Sequence, residues 1–130
     1  RQLVKPAMEE GKIVICDRFV DSSIAYQGFG RQLGSVVEEI NKHAIDGHMP
    51  DLTFLLRLEP EGGQKRIADR ELDRIELQSA DFHERTFAGY EAVAANNPER
   101  VAVVNARDTI DNIHQVILNR VKELPGLEDL

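Results

Sequence analysis

The sequence predicts an α/β domain built on a parallel sheet, and three observations predict it. Short unbroken apolar runs recur at Ile13-Val14-Ile15-Cys16, Leu52-Thr53-Phe54-Leu55-Leu56 and Val101-Ala102-Val103-Val104, the pattern of strands covered on both faces. Segments of helical period lie between these runs and after the last one. Strands that alternate with helices return through crossovers and therefore run parallel.

The chain opens on Gln2, Leu3, Val4, Lys5 and Met8, which read as the tail of an amphipathic helix, and its first residue is Arg1 rather than Met. This is the look of a piece of a longer protein. The first apolar run is framed by Gly11-Lys12 and Asp17-Arg18, the second is opened by Pro50-Asp51, and the third is closed by Asn105-Ala106. Val36, Val37, Ile40 and Ala44 share a 3.6-residue period. Residues 80–95 form a longer helix with Phe82, Phe87, Tyr90 and Val93 as candidate core contacts. A C-terminal helix places Ile110, Ile113, Ile117, Val121 and Leu124 on one stripe, with Asp108 or Thr109 as N-cap and Pro125-Gly126 as its stop. A sheet of three strands is thin for such a domain, so further strands are expected before Arg1.

Bulk properties exclude several classes. The 130 residues are 42% apolar and 30% charged, which suits a packed domain. No apolar run approaches the ~18 residues of a membrane helix. The net charge of -7 argues against a broad nucleic-acid surface, so any anion site must be local. The single cysteine, Cys16, forms no intrachain disulfide and reads as a buried small hydrophobe. Without a signal-peptide pattern, the default compartment is the cytoplasm.

Several motifs are absent. A phosphate-binding P-loop needs G-x-x-x-x-G-K-[ST]; neither Gly11-Lys12 nor Gly62-Gly63-Gln64-Lys65 satisfies it. Gly28-Phe29-Gly30 begins like a dinucleotide fingerprint, but Leu33 occupies the third glycine position. His43, His48, His83 and His114 lack metal-ligand spacing and read as surface or capping residues. No serine occupies a G-x-S-x-G elbow.

The informative segment follows the first apolar run. Ligands of open parallel sheets bind beyond the carboxyl ends of the strands, where Asp17 and Arg18 stand. A carboxylate there can reach Mg²⁺ through water, and an arginine can clamp a phosphate with paired charge-assisted bonds. A strand-end salt bridge or a helix cap is the plainer alternative. Next come Ser22, Ser23, Tyr26 and Gln27. On a helix Ser23, Tyr26 and Gln27 share one face, offering a flat ring and an amide to a pyrimidine base; an ordinary amphipathic helix would look the same.

Here the chain resembles a known family. Asp17 to Gly30 resembles the Asp-Arg-Tyr/Phe signature of bacterial thymidylate kinases, with the downstream Ser-x-Ala-Tyr-Gln. Pro50-Asp51-Leu52-Thr53 resembles the start of the family's next strand. Glu59-Pro60-Glu61-Gly62-Gly63-Gln64-Lys65-Arg66 resembles the start of the helix that leads to its LID, and Leu72-Asp73-Arg74-Ile75-Glu76 resembles the LID exit. The matches are collinear over almost the whole chain. The resemblance implies a P-loop-kinase-like parallel sheet with flanking helices, five-stranded in the family, whose N-terminal strands and P-loop are missing here, so that residues 1–130 form a partial nucleoside monophosphate kinase domain. It implies transfer of the γ-phosphoryl group of ATP to dTMP, giving dTDP and ADP, with Mg²⁺, in a cytoplasmic homodimer.

Carried over by position, Arg18 binds the dTMP phosphate, Ser23 and Gln27 face the thymine, and Tyr26 packs on the nucleoside. Ser22 joins the substrate contacts, and Tyr90 closes the pocket. Asp17 lies near the magnesium, through water, and near the acceptor phosphate. Arg66, Arg70 and Arg74 are four apart in a LID-like segment over about 66–77. Interleaved acids make a solvated, salt-bridged face the plain reading. The resemblance instead gives Arg70 a catalytic role on the transferred phosphoryl group, Arg66 an adenine contact, and Arg74 an anchor for the closed LID. Asn105-Ala106 resembles the adenine-edge loop, though it also suits the opening turn of a helix.

Lacking the ATP phosphate cradle, the 130 residues alone are expected to be inactive. Two alternatives remain open at this point: another deoxynucleoside or nucleotide kinase, and a non-catalytic nucleotide-binding relic.

Overall fold

The computed structural model describes residues 3–59 and 78–129. A short helix α1 (Val4–Glu9) is followed by an extended stretch and then by helix α2 (Val20–Ser23). Without a break α2 widens into a π-helical segment, Ile24–Gly30, in which the Arg31 amide donates to the Tyr26 carbonyl five residues back, at 2.9 Å. Helix α3 (Val36–Ile45), strand β1 (Thr53–Arg57), helix α4 (Ala80–Asn96), strand β2 (Val101–Asn105) and helix α5 (Ile110–Val121) complete the order.

β1 and β2 pair in parallel, with Thr53 opposite Val101 and Arg57 opposite Asn105. Among the described residues this is the sheet. α4 starts cleanly because Ser79 caps it, its Oγ accepting from the Phe82 amide at 3.3 Å. Thr109 does the same for α5, accepting from the Asn112 amide at 3.2 Å. Val20, Ala25, Val37, Phe82, Val93, Val101 and Val104 form the buried core, which lies where α2 and the π segment meet α4 and the sheet.

Two glycines let α4 approach the π segment. A methyl built on Gly89 would stand 2.9 Å from Phe29 Cβ and 3.0 Å from the Ala25 Cα. One on Gly30 would stand 2.6 Å from Thr86 Oγ1 and 2.8 Å from Phe82 Cε2. Both gaps are too small for any side chain.

Several expectations need correction. Ile13–Cys16 is extended but is not a strand, and Ile15 is 91% exposed. A strand exists through its ladder, and among the described residues only β1 and β2 exchange ladder bonds. β-Branched composition supplied propensity without a partner. Cys16 is exposed rather than buried for the same reason. The α3 stripe is narrower than its period suggests: Val37 is buried while Val36, Ile40 and Ala44 are exposed, because the helix touches the π segment along one edge. β1 begins at Thr53 instead of Leu52. α5 ends at Val121, and turns rather than helix carry the chain through Leu124 to Pro125-Gly126. The α4 helix lies where the sequence placed it, and of the two caps offered for α5, Asp108 and Thr109, the structure uses Thr109.

Candidate active site

α1, α2, the π segment and α3 enclose a cleft of about 510 Å³. Arg18, Phe19, Val20, Ser22, Ser23, Tyr26, Gln27 and Arg31 form one wall; Asn41, Ala44, Ile45 and His48 form another; Val4, Lys5, Gln78 and Phe82 complete the lining. Lys5, Arg18 and Arg31 bring three basic side chains to it, and among the described residues no Asp or Glu lines it. In a chain of net charge -7 these three basic side chains give the cleft a local charge that suits an anionic group.

Arg18 sits in the left-handed region, at φ 62. For a residue with a Cβ that conformation costs about 1–2 kcal/mol, so the surroundings must hold it. Its guanidinium carbon lies 5.3 Å from the centroid of the Tyr26 ring, a cation–π contact. Tyr26 is held in turn: Phe82 tilts against it at 6.0 Å, and Tyr90 meets it edge-on at 6.0 Å. The hydroxyls of Ser22 and Tyr90 share a hydrogen bond of 2.9 Å. Burial pushes the Tyr90 phenol above its ordinary pKa, with the Ser22 hydrogen bond opposing the rise.

The π turn changes how this wall is presented. A wider turn advances less per residue than an α-helix, so Ser23, Tyr26 and Gln27 still reach one cleft although the i, i+3, i+4 rule of a regular helix does not apply. An apolar floor, a ring face, two serine hydroxyls and a carboxamide surround the space beside the Arg18 guanidinium. That combination can take a flat, polar-edged ligand bearing an anionic group.

A family model described as "Thymidylate kinase" matches residues 1–117. The chain belongs to the thymidylate kinase family. A thymidylate kinase of Clostridium novyi is 46% identical over 123 residues, covering 92% of this chain and 60% of that protein. One of Exiguobacterium is 44% identical over 120 residues, covering 91% of this chain and 57% of that protein. The crystal structure of thymidylate kinase from Ehrlichia chaffeensis superposes with a TM-score of 0.67 at 29% identity, covering 92% of this chain and 54% of that one. The fold is the α/β parallel sheet with flanking helices of thymidylate kinases, and the chain spans about 60% of the length of the relatives it matches.

Of the residues that the sequence singled out, Arg18, Ser22, Ser23, Tyr26 and Gln27 meet at the cleft. Asp17 is exposed and outside its lining. Tyr90 stands behind the wall and touches Ser22 and Tyr26 rather than the open space. Asn105 and Ala106 lie at the end of β2, where the Ala106 amide donates to the Arg57 carbonyl at 3.0 Å and Asn105 Oδ1 accepts from the Arg107 amide at 3.0 Å. Arg66, Arg70, Arg74 and the LID-like segment lie outside the described residues. Sequence reasoning missed Lys5, Arg31, Asn41 and His48 as lining residues. His48, which reads from the sequence as a surface or capping residue, is half-buried and lines the cleft. His43 does lie on the surface, its Nδ1 2.9 Å from the Glu39 carbonyl oxygen.

Proposed function

We propose that the protein containing this sequence is a thymidylate kinase, transferring the γ-phosphoryl group of ATP to dTMP to give dTDP and ADP. One observation carries the reading: a cleft in which Arg18, held in a left-handed turn over the Tyr26 ring, stands beside Ser22, Ser23 and Gln27. In this reading the Arg18 guanidinium takes the dTMP phosphate in a two-pronged contact. Ser23 and Gln27 read the thymine edge, Ser22 supports them through Tyr90, and Tyr26 packs on the nucleoside. Tyr90 thus closes the pocket indirectly, by fixing Tyr26.

Among the described residues no three His, Cys, Asp or Glu side chains converge to hold an ion. A magnesium ion carried on the nucleotide's phosphates would be held through water by Asp17, which is exposed and adjacent to Arg18. When bound, the ion neutralises charge on the transferring phosphoryl group. Arg70, Arg66 and Arg74 act from the LID-like segment of about 66–77, and Asn105-Ala106 borders the adenine. The working protein is a cytoplasmic homodimer. Among the described residues, no helix is long and apolar enough to cross a membrane.

The test is steady-state kinetics on the full-length protein with dTMP, dUMP, dCMP and thymidine as competing acceptors. dTMP should have the highest kcat/KM. Arg18→Ala should lower kcat/KM for dTMP about 30- to 1000-fold, as expected for roughly 2–4 kcal/mol of lost phosphate contact. A near-normal value would remove Arg18 from the site.

A further inference from the structure

Asp21 is buried directly behind the cleft wall, and the reading above leaves it without a task. Its two carboxylate oxygens each accept from the Arg100 guanidinium at 2.8 Å. Thr53 Oγ1 donates to Asp21 Oδ2 at 3.0 Å and accepts from Arg100 Nη1 at 3.0 Å. The Asp21 and Arg100 side chains are only 9% and 11% exposed. The hydrogen bond to Asp21 raises the affinity of Arg100 for its proton, against the opposing effect of burial. The Thr53 amide also donates to the Arg100 carbonyl at 2.9 Å. The first turn of α2, the start of β1 and the residue ahead of β2 are thereby joined in one closed network.

A buried ion pair is a poor stabiliser, since desolvation cancels much of its attraction; what it can add is a fixed geometry. Geometry is what the neighbouring turn requires. Phe19, the residue just before α2, makes no side-chain cap. Arg18 immediately precedes it in the costly left-handed conformation. Asp21 is the first-turn acid of α2, yet it is satisfied by Arg100 and Thr53. Those partners lie 79 and 32 residues away and stand at the start of the two strands.

We propose that Asp21, Arg100 and Thr53 are positioning residues that lock the start of α2 to the sheet and so aim the Arg18 guanidinium at the acceptor's phosphate. The proposal rests on reading the cleft as the dTMP site. It separates two parts of one ligand: the phosphate, which depends on Arg18, and the base, which depends on the π segment beyond.

The experiment measures Kd for dTMP and for thymidine by titration calorimetry on the full-length protein, its Asp21→Asn and Thr53→Val variants, and Arg18→Ala as the reference. Wild type should bind dTMP more tightly than thymidine. In Asp21→Asn the dTMP-over-thymidine preference should fall about tenfold or more, toward that of Arg18→Ala, while thymidine affinity stays within about threefold. Thr53→Val keeps both charges and should lower the preference about threefold; it carries the test alone if Asp21→Asn has no cooperative melt. A preference unchanged in a folded variant, or dTMP and thymidine affinities falling together, overturns the lock. A wild-type protein with no preference for dTMP overturns instead the reading of the cleft on which the lock depends.

Discussion

Gly89→Ala pits two effects of opposite sign against each other. Gly89 lies inside the 17-residue helix α4, where alanine is the better helix former by about 0.5–1 kcal/mol. On propensity alone the substitution stabilises the protein. The structure says otherwise. The added methyl would sit 2.9 Å from Phe29 Cβ, 2.9 Å from Phe29 Cγ and 3.0 Å from the Ala25 Cα. The last is backbone, so relief requires moving the π segment away from α4, not rotating a side chain. Forcing extra volume into a packed contact costs about 1–3 kcal/mol, and a backbone obstacle puts this site in the upper half of that range. The net expectation is a loss of about 1–2 kcal/mol. At about 2–8 °C per kcal/mol, a thermal melt followed by circular dichroism should show Tm lowered by several degrees. Because Tyr90 is the next residue and holds Ser22 at 2.9 Å, the KM for dTMP should rise as well. A Tm equal to or above that of wild type would mean that propensity dominates and that the close approach of α4 to the π segment is wrong.

Tyr90→Phe removes the hydroxyl bonded to Ser22 and should cost about 0.5–1.5 kcal/mol in denaturant unfolding. It should also change the alkaline limb. Burial holds the Tyr90 phenol protonated to higher pH in the folded state, so its stabilisation is intact below the unfolded value of about 10 and is lost as pH rises from there through the folded value. The variant should lack that part of the decline. Thr109→Ala removes the α5 cap and should lower stability by about 1 kcal/mol, read as a lower denaturation midpoint at unchanged m-value. The 130-residue chain by itself contains no G-x-x-x-x-G-K-[ST] run and should show no dTMP-dependent ADP release in a coupled assay; ordinary turnover would refute the division of the site between this chain and a separate phosphate cradle.

Local signals in the sequence predicted local features well. Thr109, offered with Asp108 as a cap, announces a helix start because a short oxygen-bearing side chain can meet an amide two or three residues on, and it does so here; Ser79, not singled out from the sequence, does the same for the longer helix. The β1 and β2 runs were legible because each finds a partner; Ile13–Cys16, with the same composition, was misread because pairing is a property of two segments. The tight contact between α4 and the π segment was illegible for a related reason. Gly30 and Gly89 look permissive in a sequence, and only the opposing surfaces reveal that each is required.

The candidate site divides along the same line. Arg18, Ser22, Ser23, Tyr26 and Gln27 lie within ten residues, and their order alone exposes them. Asp21 lies inside that same stretch and still escaped notice, since its carboxylate faces away from the cleft toward Arg100 and Thr53. Charge patterning offers no help with it: the run around Arg100 reads as the ordinary polar turn Asn96-Asn97-Pro98-Glu99-Arg100 before a strand. A left-handed Arg18 likewise has no sequence signature, because nothing in an Asp-Arg-Phe triplet demands positive φ. The two unreadable features belong together physically. Strain at a residue persists only when its surroundings over-determine it, and the bidentate Asp21–Arg100 pair is a restraint on the helix start that follows Arg18. What sequence order reveals is therefore which groups line the cleft; the bonds that tie the first turn of α2 to the strands join segments 32 and 79 residues apart.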